Sequence, residues 1–260
     1  MGGILRVVRV LHEGRAVWAA PEGEVLVPLA RAPWESKGAV ERAGAPFPRR
    51  GAELLPPATP TKILGIGRNY AAHAKELGNE VPKEPLVFLK PPSALIAHGG
   101  AIVLPKESAR VDYEGELALV IARRARRVPK DAWRDVVAGV TCALDVSARD
   151  LQKSDGQWWR AKGFDTFCPL GPALETDVDP SDLLLETLVD GAVKQSARTS
   201  LMIFDVGTLV AWVSSAMTLE PGDVILTGTP EGVAPLAPGQ RVEVRIEKVG
   251  SLAVSVEKEP

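Results

Sequence analysis

Val111-Asp112-Tyr113-Glu114-Gly115-Glu116-Leu117-Ala118-Leu119-Val120 is the stretch from which the rest of the chain can be read. Its second half is apolar, and Glu116–Ala122 reads as a strand. Residues i and i+2 of a strand share a face, so Glu114 and Glu116 would present two carboxylates side by side. Like charges that close repel: one protonates, or a cation neutralises both. The plain alternative is a polar solvent face where a strand begins.

Working outward, Gly139–Asp145 is a nearly continuous apolar run and reads as a buried strand that ends in a carboxylate. An unpaired charge there is expensive to bury. Asp145 is then either a helix N-cap, a role Ser147 could fill equally well, or a ligand. If it converges with Glu114 and Glu116, the donor set is all oxygen and calls for a hard cation: Mg²⁺ first, Mn²⁺ next, then Ca²⁺. No His lies near these positions to favour zinc.

The flanks add mostly strands. Ile4–Leu11, Ala16–Ala20 and Glu24–Leu29 read as a short meander, and Leu55–Pro60 as a stiff proline-rich linker. A boundary near residue 58 divides a small N-terminal β-rich domain (1–58) from a catalytic domain (59–260). Lys62–Ile66, Leu86–Leu89, Ile102–Leu104, Val224–Thr227, Gln240–Lys248 and Leu252–Glu257 read as strands. Leu183–Val189 and Ala192–Ser196 flank Asp190-Gly191, a hairpin signal. Helices are expected at Tyr70–Leu77, Lys130–Val137, Ala148–Lys153 and Ile203–Met217. The class is β-rich α+β.

Bulk properties exclude several roles. The 260 residues are 45% hydrophobic and 25% charged with a formal net charge of −2, so there is no basic surplus for nucleic acid. Arg123–Arg127 reads as a solvated turn. No apolar run approaches the roughly 18–20 residues that span a bilayer. Arg6 and Arg9 interrupt the N-terminus where a signal peptide would be apolar, and Cys142 and Cys168 form no disulfide framework. A cytoplasmic protein without membrane or nucleic-acid partners is expected.

The remaining candidates are polar groups in unusual company. His73 and Glu76 share a face if Tyr70–Leu77 is helical, as an oriented general base would, or as a surface ion pair would. Lys162 lies among Trp158, Trp159 and Phe164, where it could face a developing enolate, or could be a solvated loop lysine. Thr227-Gly228-Thr229-Pro230 ends a strand in a turn whose N–H and hydroxyl groups can hold a carboxylate.

Five segments occur in order: Gly67-Arg68-Asn69-Tyr70-Ala71-Ala72-His73, Phe88-Leu89-Lys90-Pro91, Asp112-Tyr113-Glu114-Gly115-Glu116-Leu117, Leu144-Asp145-Val146-Ser147-Ala148-Arg149-Asp150 and Thr227-Gly228-Thr229-Pro230. Together they resemble the fumarylacetoacetate hydrolase family over about residues 61–258. The N-terminal 60 residues resemble the small extra domain of its bacterial isomerase-like members. The resemblance implies the family's β-roll and a homodimer. It implies Glu114, Glu116 and Asp145 as ligands of Mg²⁺, His73 and Glu76 as an acid–base dyad on a closing lid, and Lys162 as the active-site lysine. Arg68, Tyr70, Gln152 and Thr229 become substrate contacts.

The shared family step is a metal-stabilised enolate of a 2-oxo acid or 2-hydroxy-dienoate. Isomerisation of 2-hydroxyhepta-2,4-diene-1,7-dioate is the first expectation, in aromatic-acid breakdown. Acylpyruvate hydrolysis and oxaloacetate decarboxylation are the alternatives. A structural Ca²⁺ site in a binding protein is the rival from another class. It would need neither Lys162 nor the His73–Glu76 pair.

Overall fold

Along the strand Gly115–Ile121 every residue is buried. Leu117, Leu119 and Ile121 pack with Val242, Val244, Leu252 and Val254 of a second sheet and with Leu209, Val210 and Val213 of the helix Val206–Ala216. Ala118 and Val120 face the other way, into a cluster with Ile63, Ala143, Leu170 and Val224. This double burial explains the unbroken apolar run, since each buried Leu or Val contributes about 1.5–3 kcal/mol. The computed structural model describes residues 6–35 and 41–260. Ile4 and Leu5, which open the first expected strand, lie outside the described residues.

Gly115–Ile121 pairs antiparallel with Val137–Leu144 on one side and with Val224–Leu226 on the other. The sheet continues through Cys168–Glu175 on the first flank, and through Ile63–Gly67 and Leu86–Lys90 on the second. A five-stranded sheet of Ala192–Arg198, Leu184–Val189, Arg241–Ile246, Gly250–Lys258 and Ala101–Leu104 covers one face. This is the β-rich α+β class expected. The Asp190-Gly191 hairpin forms with both residues at positive φ, 50° and 81°, as a tight two-residue turn requires.

The N-terminal meander, Arg6–His12, Arg15–Glu22 and Val25–Pro28, does not stand apart from the main sheet. Arg6 and Val7 pair with Glu175 and Leu174. Leu55, assigned to a linker by its prolines, ends the strand Glu53–Leu55, which pairs with Arg9–Leu11. Pro57 to Pro60 follow outside regular structure.

Other elements differ from expectation for identifiable reasons. Cys168–Glu175 is a sheet strand although it contains Pro169, Gly171 and Pro172. Its register with Val137–Leu144 shifts between Val140 and Cys142, and such irregularities accommodate proline within a sheet. Lys130–Asp135 is a 3₁₀ helix rather than a longer α-helix, because Val137 already belongs to the next strand. Trp159–Gly163 forms a short α-helix in a segment to which the sequence reading assigns no element. The long helix starts at Val206, three residues later than its apolar pattern, because Asp205 caps it by accepting from the Thr208 N–H at 2.8 Å. Arg126, in the basic turn, donates to the Ser214, Ser215 and Ala216 carbonyls at its other end. Cys142 and Cys168 are free and buried, and burial pushes both thiols up to about 12. Among the described residues no helix is long and apolar enough to cross a membrane.

Candidate active site

Antiparallel pairing brings the carboxylates together. The start of Gly115–Ile121 lies beside the end of Val137–Leu144, with Gly115 opposite Leu144. One step further the Asp145 N–H donates to the Glu114 carbonyl at 2.8 Å. Glu114, Glu116 and Asp145 therefore meet at one end of the ladder, all buried, each offering an oxygen within 4.8 Å of the others. Asp145 is no helix cap: Ala148 precedes the helix Arg149–Ser154, and no side chain caps it.

A cation stands on every carboxylate of this cluster except Glu116. Lys162 Nζ bridges Glu114 Oε2 at 2.8 Å and Asp145 Oδ2 at 2.6 Å. Lys90 Nζ donates to Asp145 Oδ1 at 2.8 Å. Arg149 spans Glu114 Oε1 at 2.5 Å and Asp112 Oδ2 at 3.0 Å, and Arg110 grips the same Asp112. Glu116 has only the Gly228 N–H, at 2.7 Å, and no ion pair among the described residues.

The electrostatics follow. Burial opposes ionisation of Glu114, but Lys162 and Arg149 outweigh it and hold its carboxyl well below the ordinary range. Burial pushes Glu116 well above that range, and the charges of Asp145 and Glu114 push it further. Burial would strip the Lys162 proton, yet Asp145 and Glu114 hold its pKa above the usual lysine value. One carboxylate short of positive charge, in an all-oxygen donor set, fits a hard divalent cation. Lys162, far from being a solvated loop lysine, is buried on two of the three carboxylates and would share them with that cation.

Opposite the triad sits the helix Ala71–Glu76. His73 is buried and its Nδ1 faces Glu76 Oε2 at 3.4 Å, while Glu76 itself reaches solvent, so the pair is buried on its histidine side only. Glu76 also accepts from the Gly232 N–H, at 3.0 Å to Oε1. Asn69 ties the segment down: its amide donates to the Phe204 and Thr227 carbonyls and its Oδ1 accepts from the Phe204 N–H.

Between these groups lies a cavity of about 430 Å³ whose lining includes Arg68, His73, Glu76, Glu114, Glu116, Gln152, Lys162 and Thr229. Tyr70 does not line it. The phenol is buried, its hydroxyl meets no partner, and burial, then Glu116 and Glu231, raise its pKa. The Thr227-Gly228-Thr229 turn is largely spent on the protein itself. The Thr227 hydroxyl donates to Leu117, the Gly228 N–H to Glu116 and the Thr229 hydroxyl to Gly115.

Reading the sequence did not single out Lys90, Asp112, Arg149 or Gln195. Lys90 lies in one of the five ordered segments and shares a strand face with Phe88, whose ring lies 4.8 Å from Lys162 Nζ. Gln195 comes from the second sheet, accepting from Gly115 N–H and donating to the Thr229 hydroxyl.

Gly115, between two of the triad carboxylates, leaves no room for a side chain. A Cβ there would lie 1.9 Å from the Thr187 hydroxyl. Gly115→Ala should cost about 1–3 kcal/mol of stability as the strand shifts. It should also weaken Mg²⁺ binding. Unfolding and metal titrations that both match the unsubstituted protein would contradict this.

Residues 62–257 match a family model described as fumarylacetoacetate (FAA) hydrolase C-terminal, and residues 5–57 one described as Rv2993c-like, N-terminal. The crystal structure of 2-hydroxyhepta-2,4-diene-1,7-dioate isomerase from Mycobacterium marinum superposes with a TM-score of 0.90 at 44% identity, covering 98% of this chain and 99% of that one. Maleylpyruvate hydrolase from Sphingobium sp. SYK-6, solved in complex with manganese(II) ion and pyruvate, gives 0.81 at 32% identity, covering 98% and 100%. The mitochondrial oxaloacetate tautomerase FAHD1 of Arabidopsis thaliana is 48% identical over 204 residues, 76% of this chain and 92% of that protein.

Proposed function

This chain belongs to the fumarylacetoacetate hydrolase family, and we propose that within it the protein is a Mg²⁺-dependent isomerase of 2-hydroxyhepta-2,4-diene-1,7-dioate, acting through the enol of a 2-oxo acid. The observation that carries the reading is the buried triad facing a His–Glu pair across one cavity, with a buried lysine on the triad. The likeness to the Mycobacterium marinum isomerase, N-terminal part included, supports the choice of reaction. Aromatic-acid breakdown as the setting and a homodimer as the assembly are part of the same reading.

A divalent cation on Glu114, Glu116 and Asp145 would supply Lewis acidity that favours the enolate form of the substrate; Mn²⁺ or Ca²⁺ would suit the same oxygens. The chain's own groups do the rest. Glu76 accepts from His73 Nδ1 and leaves the other ring nitrogen to take the enol proton, and a proton returns to a carbon further along the conjugated chain. The separation of 3.4 Å is at the long end for a hydrogen bond, and substrate would tighten it. The Lys162 ammonium stabilises the oxyanion that forms. Arg68, Gln152 and the backbone of Thr229 are the proposed substrate contacts.

Hydrolysis of an acylpyruvate is the second reading, favoured by the same His73–Glu76 pair, which could equally activate a water. The oxaloacetate tautomerases share the enol–keto step and keep that substrate in view. The test is calorimetric binding of oxalate, a planar enolate mimic, with Mg²⁺ and again with EDTA. Binding that needs Mg²⁺ supports a 2-oxo acid site at the triad. No binding in either condition sinks the enol mechanism and favours a structural cation. His73→Ala should then abolish cleavage while sparing decarboxylation, and equal loss of both would argue against water activation.

A further inference from the structure

The cavity lining mixes charged and apolar groups. Glu114 and Glu116 of the triad line it with Lys162, while Ile66, Leu77, Phe88 and Trp158 supply apolar wall. Two further cations line it, Arg68 and Lys153, and neither side chain enters a hydrogen bond or ion pair among the described residues. The other cations of the lining are already engaged: Arg110 on Asp112, Arg149 on Asp112 and Glu114, Lys162 on Glu114 and Asp145.

Arg68 is the more telling of the two. It is half-buried, so its guanidinium loses part of its hydration without gaining a carboxylate. Its backbone sits in the left-handed region at φ 59°, a conformation that costs a non-glycine residue energy and persists only where its surroundings impose it. Asn69, its neighbour, supplies that restraint through its bonds to Phe204 and Thr227. Lys153 stands on the helix Arg149–Ser154, one residue beyond the cavity-lining Gln152. At about 430 Å³ the cavity also has room beyond a three-carbon acid, within the roughly 300–1,000 Å³ common for small-molecule sites.

We infer that Arg68 and Lys153 form a second anion subsite, which takes the distal carboxylate of a linear 2-oxo dicarboxylic acid whose 2-oxo acid end lies at the triad. The apolar wall faces the carbon chain between the two ends. The inference rests on the proposed enol chemistry and adds the groups that select a diacid over a monoacid. Charged partners across a partly desolvated site are favoured, and like or missing charges select against the wrong ligand.

The test compares 2-oxoheptanedioate with 2-oxoheptanoate by calorimetry in Mg²⁺, beside oxalate. The diacid should bind at least tenfold tighter, and its advantage should shrink as salt rises. Arg68→Gln and Lys153→Gln should each remove much of that advantage, and Lys153→Arg should retain it. Lys153 is exposed, so its variants keep the test open should Arg68→Gln fail to fold. Equal affinities in the unsubstituted protein, or an advantage that survives both substitutions, would overturn the inference while leaving the enol chemistry standing. Failure of oxalate and both oxo acids to bind would overturn both.

Discussion

Glu116→Gln is expected to abolish stabilisation by Mg²⁺ and to lower turnover by a factor on the order of 10³, which is several kcal/mol of lost charge stabilisation. Its stability without metal should stay within about 1 kcal/mol of the parent. The reason is the asymmetry of the cluster. Glu116 alone of the triad lacks a cationic partner, so its charge is a liability until a cation arrives. Glutamine keeps an oxygen for the Gly228 N–H and removes only the charge. In the parent, Mg²⁺ at a hundred times its dissociation constant should add about 2.7 kcal/mol. Thermal unfolding with and without Mg²⁺ reads all of this. A variant that keeps its Mg²⁺ response would remove Glu116 from the metal site.

Asp145→Asn should behave in the opposite way, losing about 3–5 kcal/mol of stability even without metal, the cost of breaking a buried ion pair. Asp145 holds Lys90 on one oxygen and Lys162 on the other. An asparagine offers one acceptor and points an NH₂ at the other ammonium. Lys162 keeps Glu114, but Lys90 is left with the Val146 carbonyl at 3.3 Å. Lys90→Met in the Asp145→Asn background should therefore restore part of the stability and none of the Mg²⁺ binding. Denaturant unfolding of the two variants decides it. An Asp145→Asn protein as stable as its parent would mean the lysines are solvated, and the network drawn here would fail.

Much of the site was legible because it obeys short-range rules. Glu114 and Glu116 share a face by the two-residue period of a strand, and His73 and Glu76 by the three-residue spacing of a helix. The apolar runs at Leu117–Val120 and Val140–Leu144 read as strands covered on both faces. Roles that depend on who sits opposite were not legible. Lys162 and Asp145 each had an ordinary local reading, and Tyr70 looked like a substrate contact until burial took it out of the cavity lining.

By itself the sequence determined the class of fold, the strands that build the floor of the site, and the oxygen-only character of the donor set. Periodicity and residue chemistry suffice for those. Tertiary structure alone decided which charges meet. It put Lys90, Arg149 and Lys162 on two of the three triad carboxylates and left Glu116 without a cationic partner among the described residues. It also left Arg68 and Lys153 facing the cavity unpaired. The physical reason is that a buried charge takes its state from neighbours a few ångströms away, and those neighbours are brought together by tertiary packing across 17 to 112 residues of chain.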